Sequence, residues 1–477
     1  MYRRIFVPAI WVILTTIVGI NSVDPLLTGQ TRAASPCDHV QGYWEPIPHV
    51  PVKTISAALL PTGKVLMFPG HVHVLWDPTT GTFTGPIFSQ TNLFCAGLAM
   101  MADGRLIAVG GHYGAGGEGG EFKGLRSAEI FDPWTHRWTR TRDMMAGRWY
   151  PTAITLADGR VMAIAGLQGS TTPNRTVEIF DPLTHTWQRL RELPKDIATT
   201  FPFTAVIPNG QVLIYGPQPP TYMLDPATGQ MQFVAEMTES HGGAAQAVVD
   251  GTTGQVIVIG GTAWGNILNT VVTFLPAQRR WIQLPSMRFP RHHPNVVLLP
   301  SGQILVIGGH QTSSHQEDEE VVRVPELYLP NARMWCPQGE TLYPHGYHSV
   351  ALLLPDGRVL AAGPEKVAEV YYPWYFFTDS RPEIVWAPDT IAYATPFTVE
   401  FATQHPIDRI VLIRLGSVTH SINTDQRYLE LPFEIVSEGE ALVTAPETPA
   451  QAPPGYYLIF AVNRKDVPST GKILWLR

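Results

Sequence analysis

Short apolar runs bracketed by glycine recur along this chain. Seven segments share one formula, a glycine turn followed by an apolar strand and usually a closing glycine: GKVLMFPG from Gly63, GRLIAVGG from Gly104, GRVMAIAG from Gly159, GQVLIYG from Gly210, GQVIVIGG from Gly254, GQILVIGG from Gly302 and GRVLAAG from Gly357. Successive copies start 41 to 55 residues apart. Most are followed by a second apolar strand and a proline turn, as in AEIFDPWTHRW and VEIFDPLTHTW. That period suits four strands per unit and predicts a seven-bladed kelch-type β-propeller over residues 35–377. Short strands alternating with Gly and Pro turns exclude a helical solenoid. Tyr43-Trp44-Glu45 resembles the Trp-led strand that ends other repeats. The N-terminus is therefore expected to supply the outer strand of the last blade and hide two sheet edges. After Phe377 the formula stops, and SRPEIVWAP opens an alternating segment, residues 378–477, expected to form an immunoglobulin-like β-sandwich.

Composition agrees with an all-β fold. Hydrophobic residues make up 44% and charged ones only 15%, which fits a well-buried globular protein and argues against disorder. The 42 glycines and 43 prolines fit many turns. A net charge of −7 with no basic stripe speaks against nucleic acid as a partner. Residues 1–34 carry a charged start, an apolar stretch through Ile20 and small residues at Ala33-Ala34. They read as a secretory signal peptide, with an uncleaved anchor as the alternative. The mature chain is expected to lack a membrane span, to be monomeric, and to be secreted, periplasmic or extracellular.

Counting back from each repeat's first glycine exposes a second regularity. Cys95, Tyr150 and His348 each lie nine residues ahead, with Tyr347 one earlier; the other blades carry Thr54, Phe201, Ala245 and His293 there. Equal repeat phase in a propeller means equal radial position, so these side chains converge on one end of the axial channel. His293 either faces the same channel or packs with His292. Imidazole and oxygen donors together suit Cu(II), whereas Ca²⁺ and Mg²⁺ sites need no histidine. No H-E-x-x-H set marks a zinc hydrolase.

At these positions the chain resembles the copper radical oxidases, galactose oxidase and glyoxal oxidase. NLFCAG resembles the segment whose cysteine is cross-linked to a tyrosine, and RWYPTAITLADGRV the segment with that tyrosine. GYHSVALLLPDGRV resembles the axial tyrosine and first histidine ligand, THSINTDQR the second histidine, and APPGYYLIFAVN a late strand of the C-terminal domain. The resemblance implies a Cys95–Tyr150 thioether radical cofactor and one copper ion held by Tyr150, Tyr347, His348 and His420. It implies oxidation of a small-molecule primary alcohol or hydrated aldehyde by O2, with H2O2 as product.

Several structural expectations follow. A hairpin with Thr419-His420-Ser421 must reach the propeller channel. The chain must be irregular after Gly346, because neighbours in a regular strand face opposite sides. The chain departs from galactose oxidase where that enzyme stacks a tryptophan on its thioether; the nearest position here is Gln168, with Trp264, Trp149 and His345 as other sources of a ring. Arg148 and Arg291 are the arginines nearest the face where galactose oxidase contacts its sugar. Cys37 and Cys336 remain for a disulfide, which the sequence leaves open. GGHYGAGGEGG, residues 110–120, opens no helix and reads as a glycine-rich loop rather than a dinucleotide site. HQEDEE, 315–320, reads as a solvated insert. The alternative to an oxidase is a non-catalytic kelch propeller that binds a glycan or a protein.

Overall fold

A computed structural model describes residues 35–477 except 114–122, 198, 217, 243–244, 313–319 and 379. The signal-peptide segment, most of the glycine-rich loop and most of the acidic insert lie outside the described residues. Among those described, almost every element is a β-strand. Seven four-stranded antiparallel meanders follow one another. Their first strands are Ser56–Leu59, Gly97–Met100, Thr152–Thr155, Phe203–Val206, Gln246–Asp250, Asn295–Leu298 and Val350–Leu353, here blades 1 to 7. The first two strands of a blade are almost entirely buried, while outer strands such as Phe83–Phe88 are half open to solvent. All seven repeat glycines have positive φ, from 73° at Gly254 to 92° at Gly357, a region side chains seldom adopt.

Blade 7 is completed from the other end of the chain. Tyr43–Ile47 pairs antiparallel with Ala368–Tyr372, so the N-terminal strand closes the ring. A disulfide joins Cys37, just ahead of that strand, to Cys336 in the outer strand of blade 6. The structure thus settles the pairing that the sequence left open.

The C-terminal segment folds as two packed sheets around its own core, which includes Val399, Ile410, Leu412, Leu429 and Tyr457. It is joined to the propeller by two backbone pairings. Val249 and Asp250 of blade 5 pair in parallel with Arg427 and Tyr428. The hairpin Ser417–Thr419/Ile422–Asn423 adds to the inner strand of blade 1, with Ser56 opposite Thr419. Buried Asp425 accepts from Met100 N–H of blade 2 at 3.0 Å and from Ser417 Oγ, and lies 3.4 Å from Arg414 Nε. Arg414 donates in turn to Met100 O at 2.9 Å. These bonds hold the hairpin inside the ring.

One histidine between blades carries an acid-stability prediction. His73 stacks on Phe68 at 4.5 Å, and its Nδ1 accepts from Trp138 Nε1 of blade 2 at 3.1 Å. Tryptophan only donates, so the proton of the neutral ring sits on Nε2, facing Gly70 O at 3.1 Å. Burial pushes this imidazole from 6.5 down to about 3. The unfolded chain binds a proton below 6.5 and the folded chain does not until about 3. Its contribution is therefore complete above 6.5 and lost as pH falls toward 3. Denaturation midpoints should drop across that window, and His73→Gln should flatten the slope relative to the parent; an unchanged slope contradicts the assignment.

Candidate functional site

The same-phase residues reach the axis through an unusual backbone. Cys95, Tyr150, Phe201 and His293 have φ of 61°, 58°, 41° and 57°, and His420 has 51°. Non-glycine residues persist there only where the surroundings over-determine them, most often at functional sites. Here the restraint runs from blade to blade. Tyr150 N–H donates to Cys95 O at 3.1 Å, and Phe201 N–H donates to Tyr150 O at 2.9 Å.

A buried glutamate on the third strand of several blades fixes the connector that leads into the site. Glu129 accepts from Gln90 and Thr91 N–H, just ahead of Cys95. Glu178 accepts from Met145 N–H and pairs with Arg148 at 2.7 Å, two residues before Tyr150. Glu326 accepts from Arg288 N–H and pairs with Arg291 at 2.8 Å, two before His293. Glu369 accepts from Leu342 N–H and lies 2.7 Å from His345, two before Tyr347. The Arg148, Arg291 and His345 side chains are 0% exposed. These two arginines are structural ties and do not present guanidinium groups to a substrate.

The five sequence candidates come together. The Tyr150 and Tyr347 phenols share a short hydrogen bond. Cys95 Sγ hydrogen-bonds with the Tyr150 side chain and lies 3.4 Å from His420 Nε2. The His420 ring centroid is 5.1 Å from that of Tyr150, 5.5 Å from Tyr347 and 4.9 Å from His348. Tyr347 and His348 occupy a turn, closed by Ser349 N–H to Gly346 O at 3.1 Å, so both face the site despite being neighbours. Tyr347 N–H donates to His310 Nε2 at 3.0 Å. His420 N–H reaches Ile55 O of the propeller at 3.2 Å, and its Nδ1 contacts Thr419 Oγ1 at 2.8 Å.

Burial sets the protonation states. It pushes the Cys95 thiol up to about 12, against weaker opposing hydrogen bonds from Tyr150 and Trp149. The Tyr150 phenol is raised far above its ordinary value by burial, then by Cys95 and Tyr347. His420 is held well below 6.5 by burial and by His348, and so stays neutral, as a metal ligand must.

Among the described residues, no group of three or more His, Cys, Asp or Glu side chains is placed to hold a metal. The donors gathered here are instead two imidazoles and two phenols, a nitrogen and oxygen set that fits Cu(II). A bound cation would oppose the desolvation that keeps the Tyr150 phenol protonated. The donor chemistry therefore fits the group that the sequence implied.

Aromatic rings wall the site. Trp149 lies 4.3 Å from the Tyr150 ring, tilted by 49°, and Phe201 meets Tyr150 edge-on at 4.9 Å. Trp264 is 93% exposed and Gln168 is exposed, so neither covers the cysteine–tyrosine pair. Phe94 packs 5.7 Å from both His348 and His420. Phe94 and the glutamate ties were not anticipated from sequence, although the glutamate is visible in AEIFD and VEIFD.

Fold and site together define a kelch propeller with an interlocked β-sandwich and a mixed tyrosine–histidine centre. Residues 381–476 match the galactose oxidase-like early set domain, and residues 99–145, 148–194 and 245–288 match the kelch motif. The chain is 24% identical over 495 residues to a galactose oxidase of Gibberella zeae, covering 91% of this chain and 70% of that protein. It is 26% identical over 470 residues to aldehyde oxidase GLOX of Vitis pseudoreticulata, covering 86% and 87%. A fungal alcohol oxidase of the AA5 family, solved in complex with copper, superposes with a TM-score of 0.83 at 24% identity, covering 91% of this chain and 99% of that one. These likenesses support the copper radical oxidase family, of the galactose oxidase and glyoxal oxidase kind, and an enzyme of the copper oxidase class.

Proposed function

We propose that this enzyme oxidises a primary alcohol or hydrated aldehyde with O2, giving an aldehyde or acid and H2O2. The observation that carries the reading is the meeting of Tyr150, Tyr347, His348 and His420 beside Cys95. Tyr150, Tyr347, His348 and His420 would hold one copper ion, which when bound accepts one of the two electrons removed from the substrate. Cys95 and Tyr150 would be joined by a thioether, losing two hydrogens to O2. That bond makes the ring easier to oxidise and locks it in place. Tyr150, as a radical, takes the second electron with a hydrogen atom from the carbinol carbon. Tyr347, as phenolate, receives the hydroxyl proton, and its contact with Tyr150 places the two acceptors side by side. Overall, two electrons and two protons pass from R–CH2OH to O2. Trp149 and Phe201 shield the Tyr150 ring from water and would lengthen the life of the radical.

The same reading includes export. The Cys37–Cys336 disulfide supports an oxidising compartment, and none of the described helices is long and apolar enough to cross a membrane. The propeller spans 35–377, the sandwich 378–477 and the signal peptide 1–34 in this proposal.

A peroxide assay on copper-loaded protein tests the reading. Galactose, glycerol, benzyl alcohol, glyoxal and methylglyoxal form a suitable panel. Peroxide from at least one of them is expected; bound copper without any turnover, or no bound copper, would favour a binding propeller instead.

A further inference from the structure

Tyr347 sits in a turn and not in a strand. Blade 6 packs against it. His293 occupies the repeat position of Cys95 and Tyr150 and shares their left-handed backbone, with φ of 57°. Its ring centroid lies 4.4 Å from that of Tyr347, at a tilt of 55°. The His292 ring packs 4.2 Å from that of His293. His292 and His310 exchange backbone hydrogen bonds at 2.8 Å in both directions, and His310 Nε2 accepts the Tyr347 N–H. The His293 carbonyl accepts from Ser421 Oγ at 3.3 Å, the residue after His420. One residue therefore touches both the turn that carries Tyr347 and the hairpin that carries His420. Those two segments come from different parts of the chain, 73 residues apart by their numbers (420 minus 347).

We propose that His293 is the positioning residue for Tyr347. Its ring forms the wall that keeps the Tyr347 phenol turned toward Tyr150, and its carbonyl keeps the His420 hairpin in register with that phenol. The left-handed backbone that His293 shares with Cys95, Tyr150 and Phe201 is the conformation in which its ring meets Tyr347 and its carbonyl meets Ser421. The inference rests on the oxidase reading only for what the phenol does once it is held there.

Two substitutions separate the ring from the backbone. His293→Gly accepts the left-handed conformation without strain but removes the wall. His293→Phe keeps a flat ring and removes the imidazole nitrogens. The first measurement uses metal-free protein labelled with 3-fluorotyrosine, with Tyr347→Phe assigning the signal in ¹⁹F spectra. One narrow Tyr347 signal is expected in the parent and in His293→Phe, and a broadened or split one in His293→Gly at an unchanged melting temperature. The second is a chelator-competition titration with copper. His293→Gly should bind copper roughly 10- to 100-fold more weakly, as when an outer partner of a ligand is lost, and His293→Phe should restore binding. A narrow, parent-like signal in His293→Gly overturns the proposal. So does a His293→Phe variant as impaired as the glycine one. Failure of the parent to bind copper would overturn the oxidase reading, and the fluorine spectra would still decide the positioning role.

Discussion

Cys95→Ser should lower peroxide production at least about a hundredfold, the low end of what one positioned reacting group contributes. The reasoning starts from burial. The Cys95 side chain is fully enclosed, and the low dielectric around it disfavours a thiolate. A buried thiol of that kind is inert in ordinary chemistry. It is nonetheless hydrogen-bonded to the Tyr150 side chain and sits 3.4 Å from a neutral imidazole. Both residues are held in strained left-handed backbone by a bond from one to the other. A merely structural cysteine would need none of this. Serine is nearly isosteric and should preserve the fold, so the melting temperature should change little. Peptide mapping provides the direct check. Copper-loaded parent protein should yield a Cys95–Tyr150 linked peptide two hydrogens lighter than its parts, and the variant should not. Full activity in Cys95→Ser would contradict the role.

His420→Ala should abolish the metal centre while leaving the propeller intact. His420 comes from the β-sandwich, yet its ring lies within 5.5 Å of the Tyr150, Tyr347 and His348 rings. The hairpin beneath it is secured independently, through Asp425 with Met100 and through the pairing of Ser56 with Thr419. Removing the imidazole therefore deletes a donor without releasing the hairpin. Copper affinity should fall by more than the roughly 10- to 100-fold typical of losing an outer partner. Peroxide output should fall with it.

Much of this architecture was legible because the repeats carry their own punctuation. Gly63 through Gly357 mark each blade by a turn that needs positive φ, and counting from them placed Cys95, Tyr150 and His348 at one radius. The closing strand at Tyr43–Ile47 was visible for the same reason, as a Trp-led copy of an outer strand. His420 lay beyond this logic, since no repeat phase links the sandwich to the channel; it came from the resemblance alone. Contacts between distant segments were not legible at all. The parallel pairing of Val249 and Asp250 with Arg427 and Tyr428 leaves no periodic trace. Glu129, Glu178, Glu326 and Glu369 were not anticipated, for a different reason. A glutamate within an alternating strand reads as an outward-facing residue. Here each is buried because the connector beside it has backbone N–H groups that must find acceptors. The same ties explain why Arg148 and Arg291, expected near the substrate face, are sealed inside. Trp149 covers Tyr150 although sequence neighbours normally diverge, and the left-handed turn at Tyr150 accounts for that.

Copper titration of metal-free parent protein and His420→Ala, followed by electron paramagnetic resonance, addresses the four-ligand centre most directly. The parent should take up one Cu(II) per chain with hyperfine structure from two imidazole nitrogens, and the variant should lose tight binding and one nitrogen coupling. Identical spectra and affinities for the two proteins, or a parent that binds no copper, would contradict it.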